Sequence, residues 1–111
     1  MKEFYTSVVE LRQPINAAFA SEPYECGWAN EAIFFLNLHP DQANFERALV
    51  QPQISPDGIH WVDAPAGELT VAHSGLYALR QTHFGGWLRV KLTLEGAART
   101  AMITLHLALK G

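Results

Sequence analysis

The stretch from Trp87 to Glu95 alternates without a break. Leu88, Val90, Leu92 and Leu94 fall on one side; Trp87, Arg89, Lys91, Thr93 and Glu95 fall on the other. A period of two is incompatible with a helix and marks a half-buried strand. The pattern resumes at Thr100. Ala101, Ile103, Leu105, Leu107 and Leu109 face one way, against Thr100, Met102, Thr104, His106 and Lys110. Gly96-Ala97-Ala98-Arg99 lies between the two runs and reads as the turn of an antiparallel hairpin. The apolar side of such a hairpin needs a second layer, so Leu92 and Leu105 are expected in a core between two sheets.

Further strand signals precede this region. Phe4 to Arg12 is rich in aromatic and β-branched residues, and Pro14 ends it or marks an edge. A short strand is expected over Ala17 to Ser21, and Pro23 to Asn30 reads as a loop. Glu31 to Leu38 is apolar on both faces near its middle, which predicts a central strand buried on both sides. From Phe45 to Ser55 a loop runs into a strand, since Pro52 forbids a helix there. Ser55-Pro56-Asp57-Gly58 is a turn in which Gly58 is expected at positive φ. Strands over Ile59 to Val62, Glu68 to Ala72 and Leu76 to Thr82 follow. Short strands with regular turn signals predict an all-β fold of about eight strands, an antiparallel sandwich of jelly-roll or immunoglobulin-like type.

The 111 residues fit one domain, 1–111, long enough to form a core without disulfide or metal staples. Only 17% of them are charged, against about 25% in an ordinary domain. A surface so poor in charge, on a fold with open sheet edges, predicts a homo-oligomer. Net charge is −3 and the basic residues are scattered, so no nucleic-acid partner is expected. Cys26 is the single cysteine, which excludes an internal disulfide. The N-terminal residues lack the apolar stretch of a signal peptide, and no run reaches membrane-spanning length. A cytoplasmic protein without a membrane partner is expected.

Catalytic patterns are absent. The five histidines, His39, His60, His73, His83 and His106, show no metal-ligand spacing, although a cross-strand pair of His60 and His106 is conceivable. Ser55, Ser74, His73 and Asp57 supply triad residue types without a nucleophile elbow. Glu22/Glu25 and Asp57/Asp63 would serve glycoside hydrolysis only if placed opposite one another. Cys26 would be a nucleophile only beside a histidine. No phosphate- or dinucleotide-binding glycine motif occurs. The expectation is therefore a non-enzymatic protein with no cofactor and no metal. Trp28, Trp61, Phe84 and Trp87 lie near turns and outside the alternating core positions, which marks them as candidates for interface contacts or for stacking on a ligand.

The segment Val50 to Asp63, with its Ser55-Pro56-Asp57-Gly58 turn followed by Trp61, resembles a hairpin of small β-sandwich modules. These include phage or phage-like virion structural proteins, related bacterial domains of unknown function and some carbohydrate-binding modules. Gly86 to Leu92 is similar to the strand that follows in them. The resemblance covers Phe45 to Lys110 and implies a role in binding or assembly: a self-associating structural or accessory subunit, cytoplasmic or in a virion. The alternative it implies is a carbohydrate-binding module using exposed Trp and Tyr.

Overall fold

A computed structural model describes residues 4–111. Its strands are β1 Phe4–Asn16, β2 Ala18–Ala20, β3 Tyr24–Glu25, β4 Glu31–Leu38, β5 Arg47–Ser55, β6 Val62–Asp63, β7 Leu69–Val71, β8 Gly75–Thr82, β9 Trp87–Glu95 and β10 Thr100–Lys110. The helical content is a single 3-10 turn at Pro40–Gln42. All strand pairs are antiparallel. They form a four-stranded sheet in the order β1-β10-β4-β8 and a six-stranded sheet in the order β2-β9-β5-β6, with β3 also on β9 and β7 also on β5. The fold is an all-β antiparallel sandwich, as the alternation predicts.

The inner faces carry the core. Phe34, Leu36 and Leu38 from β4, Leu88, Val90, Leu92 and Leu94 from β9, and Ile103, Leu105, Leu107 and Leu109 from β10 are at most 1% exposed. Burying each such side chain contributes about 1.5–3 kcal/mol before chain entropy is counted. Leu92 and Leu105 belong to opposite sheets and meet in the same core.

The expected hairpin of the last two strands does not form. β9 pairs with β5, β2 and β3, while β10 pairs with β1 and β4. Gly96 to Arg99 is an arch that carries the chain from one sheet to the other. Gly96 has φ +133°, and a Cβ there would lie 2.9 Å from the Glu46 backbone nitrogen. The Arg99 carbonyl accepts the Ala17 N–H at 2.8 Å, tying the arch to the point where β1 hands over to β2. Both runs need a buried face, and an arch places the two faces against each other; a hairpin would put them side by side on one sheet. Alternation specifies a face and leaves the pairing partner open.

Of the two roles expected of Pro14, ending the first strand or marking an edge, it takes the second. β1 continues to Asn16 on the edge of its sheet, with register shifts between Val8 and Glu10 and between Glu10 and Gln13. Ile59 to Trp61 is loop, and only Val62–Asp63 pairs, with Gln53 and Ile54. β4 is interior to its sheet, but Ile33 and Phe35 on its outer face are only half-buried. The exposed edges are also blunted within the chain. β1 is bulged and carries Pro14. β8 is flanked by the segment whose Ala66 carbonyl accepts Gln81 Nε2 at 3.1 Å. Short β2, β3, β6 and β7 serve the other sheet. The shortage of edge charges therefore does not by itself require a partner.

Candidate functional site

The outer face of the six-stranded sheet is a polar lattice. Arg47 Nε donates to Glu95 Oε1 at 3.0 Å, Arg89 Nε to Gln53 Oε1 at 2.7 Å, and Gln53 Nε2 to Asp63 Oδ1 at 2.9 Å. Each of these bonds joins residues paired in register on adjacent strands, Asp63 closing the row from β6.

At one end of the sandwich, β9 begins, β5 finishes and the loops 26–30, 56–61 and 83–86 meet. The four aromatic candidates lie there. Trp87 points outward beside Arg89, and the Asp57–Gly58 turn folds over it. Gly58 has φ +79°, and a Cβ on it would stand 3.0 Å from the Trp87 ring. The Trp61 ring lies 4.3 Å from the Arg89 guanidinium carbon, a cation–π stack on a half-buried indole. Phe84 packs against the core from the β8–β9 connection. Trp28 rests against Gly111 and is 42% exposed. Trp61 and Trp87 thus obtain cover from their own chain.

The 55–60 loop holds residue types familiar from hydrolases in the wrong order. Ser55 Oγ donates to Asp57 Oδ1 at 3.0 Å and accepts the N–H of Gly58 at 2.8 Å. Asp57 Oδ1 accepts the N–H groups of Ile59 and His60, both at 2.8 Å, and its Oδ2 lies 2.7 Å from His60 Nδ1. These bonds hold the Asp57 carboxyl well below the usual carboxylate range, the His60 backbone N–H making the largest contribution. In a triad the histidine stands between serine and acid. Here the aspartate stands between, and Ser55 is buried. The cluster is a turn lock.

Cys26 is fully buried and its thiol donates to the Gly86 carbonyl at 3.6 Å. Burial, aided by the Glu25 charge, pushes it up to about 12, so it is a protonated thiol and a poor nucleophile at neutral pH. His60 sits in the 56–61 loop bonded to Asp57, while His106 lies on β10, and the two form no pair. His39 Nε2 sits 2.8 Å from Thr104 Oγ1. Of the carboxylates named from the sequence, Asp63 is held by Gln53, Asp57 by His60, and Glu25 accepts the Gly27 N–H at 3.0 Å. Among the described residues, no group of three or more His, Cys, Asp or Glu side chains converges as a metal site would require. None of their helices is long and apolar enough to cross a membrane.

The outer face of the four-stranded sheet mixes apolar side chains with polar ones. Register places residues in rows across it: Phe4, Lys110, Glu31, Thr82; then Thr6, Ala108, Ile33, Arg80; then Val8, His106, Phe35, Ala78. Side chains in a row share a face, so these all point outward from the core. Phe4 is 64% exposed, Val8 51% and Leu76, on the same side of β8, 67%. A cleft of about 360 Å³ opens over Glu31, Ile33, Arg80 and Lys110. The four aromatic candidates taken from the sequence lie elsewhere, and His106 alone of the histidines named there falls in these rows. The one sequence signal for this surface is that β4 is apolar on both faces.

No family model and no curated protein matches the chain. Solved structures do. The PBSX exported protein XepA matches with a TM-score of 0.61 and 10% identity over 98% of this chain, which spans only 36% of XepA. The SPBc2 prophage-derived protein YomS matches with a TM-score of 0.61 and 6% identity over 100% of this chain and 96% of its own. VP2 of the infectious bursal disease virus subviral particle matches with a TM-score of 0.61 and 9% identity over 98% of this chain and 32% of its own. At these identities the likeness is one of fold, and it agrees with the resemblance to phage-like modules that the 50–63 hairpin carries.

Proposed function

We propose that the chain is a non-enzymatic structural subunit that associates with copies of itself, as an accessory or virion-like component of a larger assembly. The observation that carries this reading is the outer face of the four-stranded sheet, where Phe4, Val8 and Leu76 are exposed and Ile33 and Phe35 only half-buried. Contiguous apolar surface of this kind usually marks an interaction site. The occurrence of the fold in a viral particle protein is in keeping with it. Sedimentation equilibrium across micromolar concentrations tests the reading. A mass above the 12.3 kDa monomer is expected, and a clean monomer throughout would refute it.

Trp28 supports a second reading, a carbohydrate-binding module, because it alone of the three tryptophans is exposed. A glycan pull-down that retains the wild type and loses Trp28→Ala would favour this alternative.

A further inference from the structure

Building on the proposed self-association, we infer that the outer face of the four-stranded sheet docks a second copy of this chain about a two-fold axis running along the strands between β10 and β4. Three observations converge on that axis. The sheet order β1-β10-β4-β8 puts the line between β10 and β4 at the middle of the face, so rotation about it gives the fullest overlap. The rotation lays β10 over the partner's β4 and β1 over the partner's β8, row on row. It brings Lys110 above Glu31 of the partner subunit, and Glu31 beneath the partner's Lys110, because the two residues are directly opposed in register across the axis. Within one copy these two are not an ion pair; Lys110 leans over the Phe4 ring, 5.7 Å from its centroid.

The row through His106 and Phe35 complements itself under the same rotation. His106 and Phe35 share a row on either side of the axis, as do Val8 and Ala78 at its ends, so aromatic meets imidazole and small meets branched. The opposite choice, an axis across the strands, would stack His106 on itself and leave Lys110 and Glu31 without partners. Sheets face one another at about 10 Å, and four strands of eight residues cover roughly 19 by 26 Å. That is about 500 Å² per copy before side-chain relief, or about 1,000 Å² for the pair, the lower limit for a specific interface. The expected dimer is therefore weak.

Charge reversal tests the register. Glu31→Lys and Lys110→Glu should each weaken the dimer at least tenfold in sedimentation, since each opposes like charges across the axis. The double variant should restore association to within a few-fold of wild type. Circular dichroism melts of all four proteins separate lost docking from lost folding. Association unaffected by either single change would overturn this interface and leave self-association standing through another surface. Single variants that dissociate without recovery in the folded double variant would also overturn it. A wild type that is monomeric at every concentration would sink the inference and the proposed function together.

Discussion

The two outer faces of this sandwich rest on one core and differ in everything else. Over β9 and β5 the outward side chains are mostly charged or amide-bearing, with Leu49, Thr93 and Trp87 among them, and they bond one another through Arg47–Glu95 and Arg89–Gln53–Asp63. Over β10 and β4 Ala108, Ile33 and Phe35 alternate with Lys110, Glu31, His106, Asn37 and Thr104, and the side-chain bonds gather at Thr104, which accepts the Arg12 N–H at 3.1 Å and lies 2.8 Å from His39 Nε2. The strands show the same contrast in burial. β9 alternates strictly, while β10 buries Thr104 and Ala108 on its outward side as well. A face finished with hydrogen bonds closes the molecule, and a face left apolar offers a place for something else to close it.

If the core is common to both sheets, truncating it from either side should cost the same. Leu92→Ala and Leu105→Ala are each expected to lose about 2–5 kcal/mol in urea melts, transfer loss plus cavity. Lys91→Ala should lose well under about 1 kcal/mol. A Leu105 effect far below that of Leu92 would mean the four-stranded sheet is loosely packed. Gly58→Val is expected to cost about 2 kcal/mol or more, because it combines a β-branched residue at positive φ with contact on Trp87. A neutral result would remove the turn as the cover of that indole.

The sharpest contrast sets Gln53→Ala against Ala78→Glu. The first strands the Arg89 guanidinium and the Asp63 carboxylate, and should cost about 1–3 kcal/mol of fold stability with association unchanged. The second places a charge on the apolar face and should leave the melt within about 1 kcal/mol while association is lost. The smallest change is expected for Arg47→Ala, below about 1 kcal/mol, since its pair with Glu95 is exposed.

Acid titration adds an independent probe of the polar end. The Asp57 carboxyl is depressed in the folded state, so its stabilising contribution is complete above the ordinary value of 3.8 and is lost as pH falls below it. Asp57→Asn should flatten that part of the stability–pH curve.

Much of the fold was legible because alternation encodes faces. The buried sides of β4, β9 and β10, the positive φ of Gly58 and the outward set of Trp87 all follow from local pattern. The arch at Gly96 was not legible, because a four-residue connection suits a hairpin or a crossing and only long-range packing chooses between them. The candidate surface was hidden for a related reason. Ile33 and Phe35 look like the second buried face of a central strand. Whether anything covers that face depends on the layer above it, and among the described residues there is none. Trp61 and Trp87 differ from Trp28 in a way that local pattern does not foretell: Arg89 and the Asp57–Gly58 turn cover them, while Trp28 stays exposed.

The most direct test of the account is hydroxyl-radical footprinting at low and high protein concentration, read by mass spectrometry at Phe35 and Trp61. The account predicts that Phe35 on the apolar face loses reactivity as concentration rises, while Trp61 on the polar face keeps its own. Equal behaviour at the two residues, or protection confined to Trp61, would contradict it.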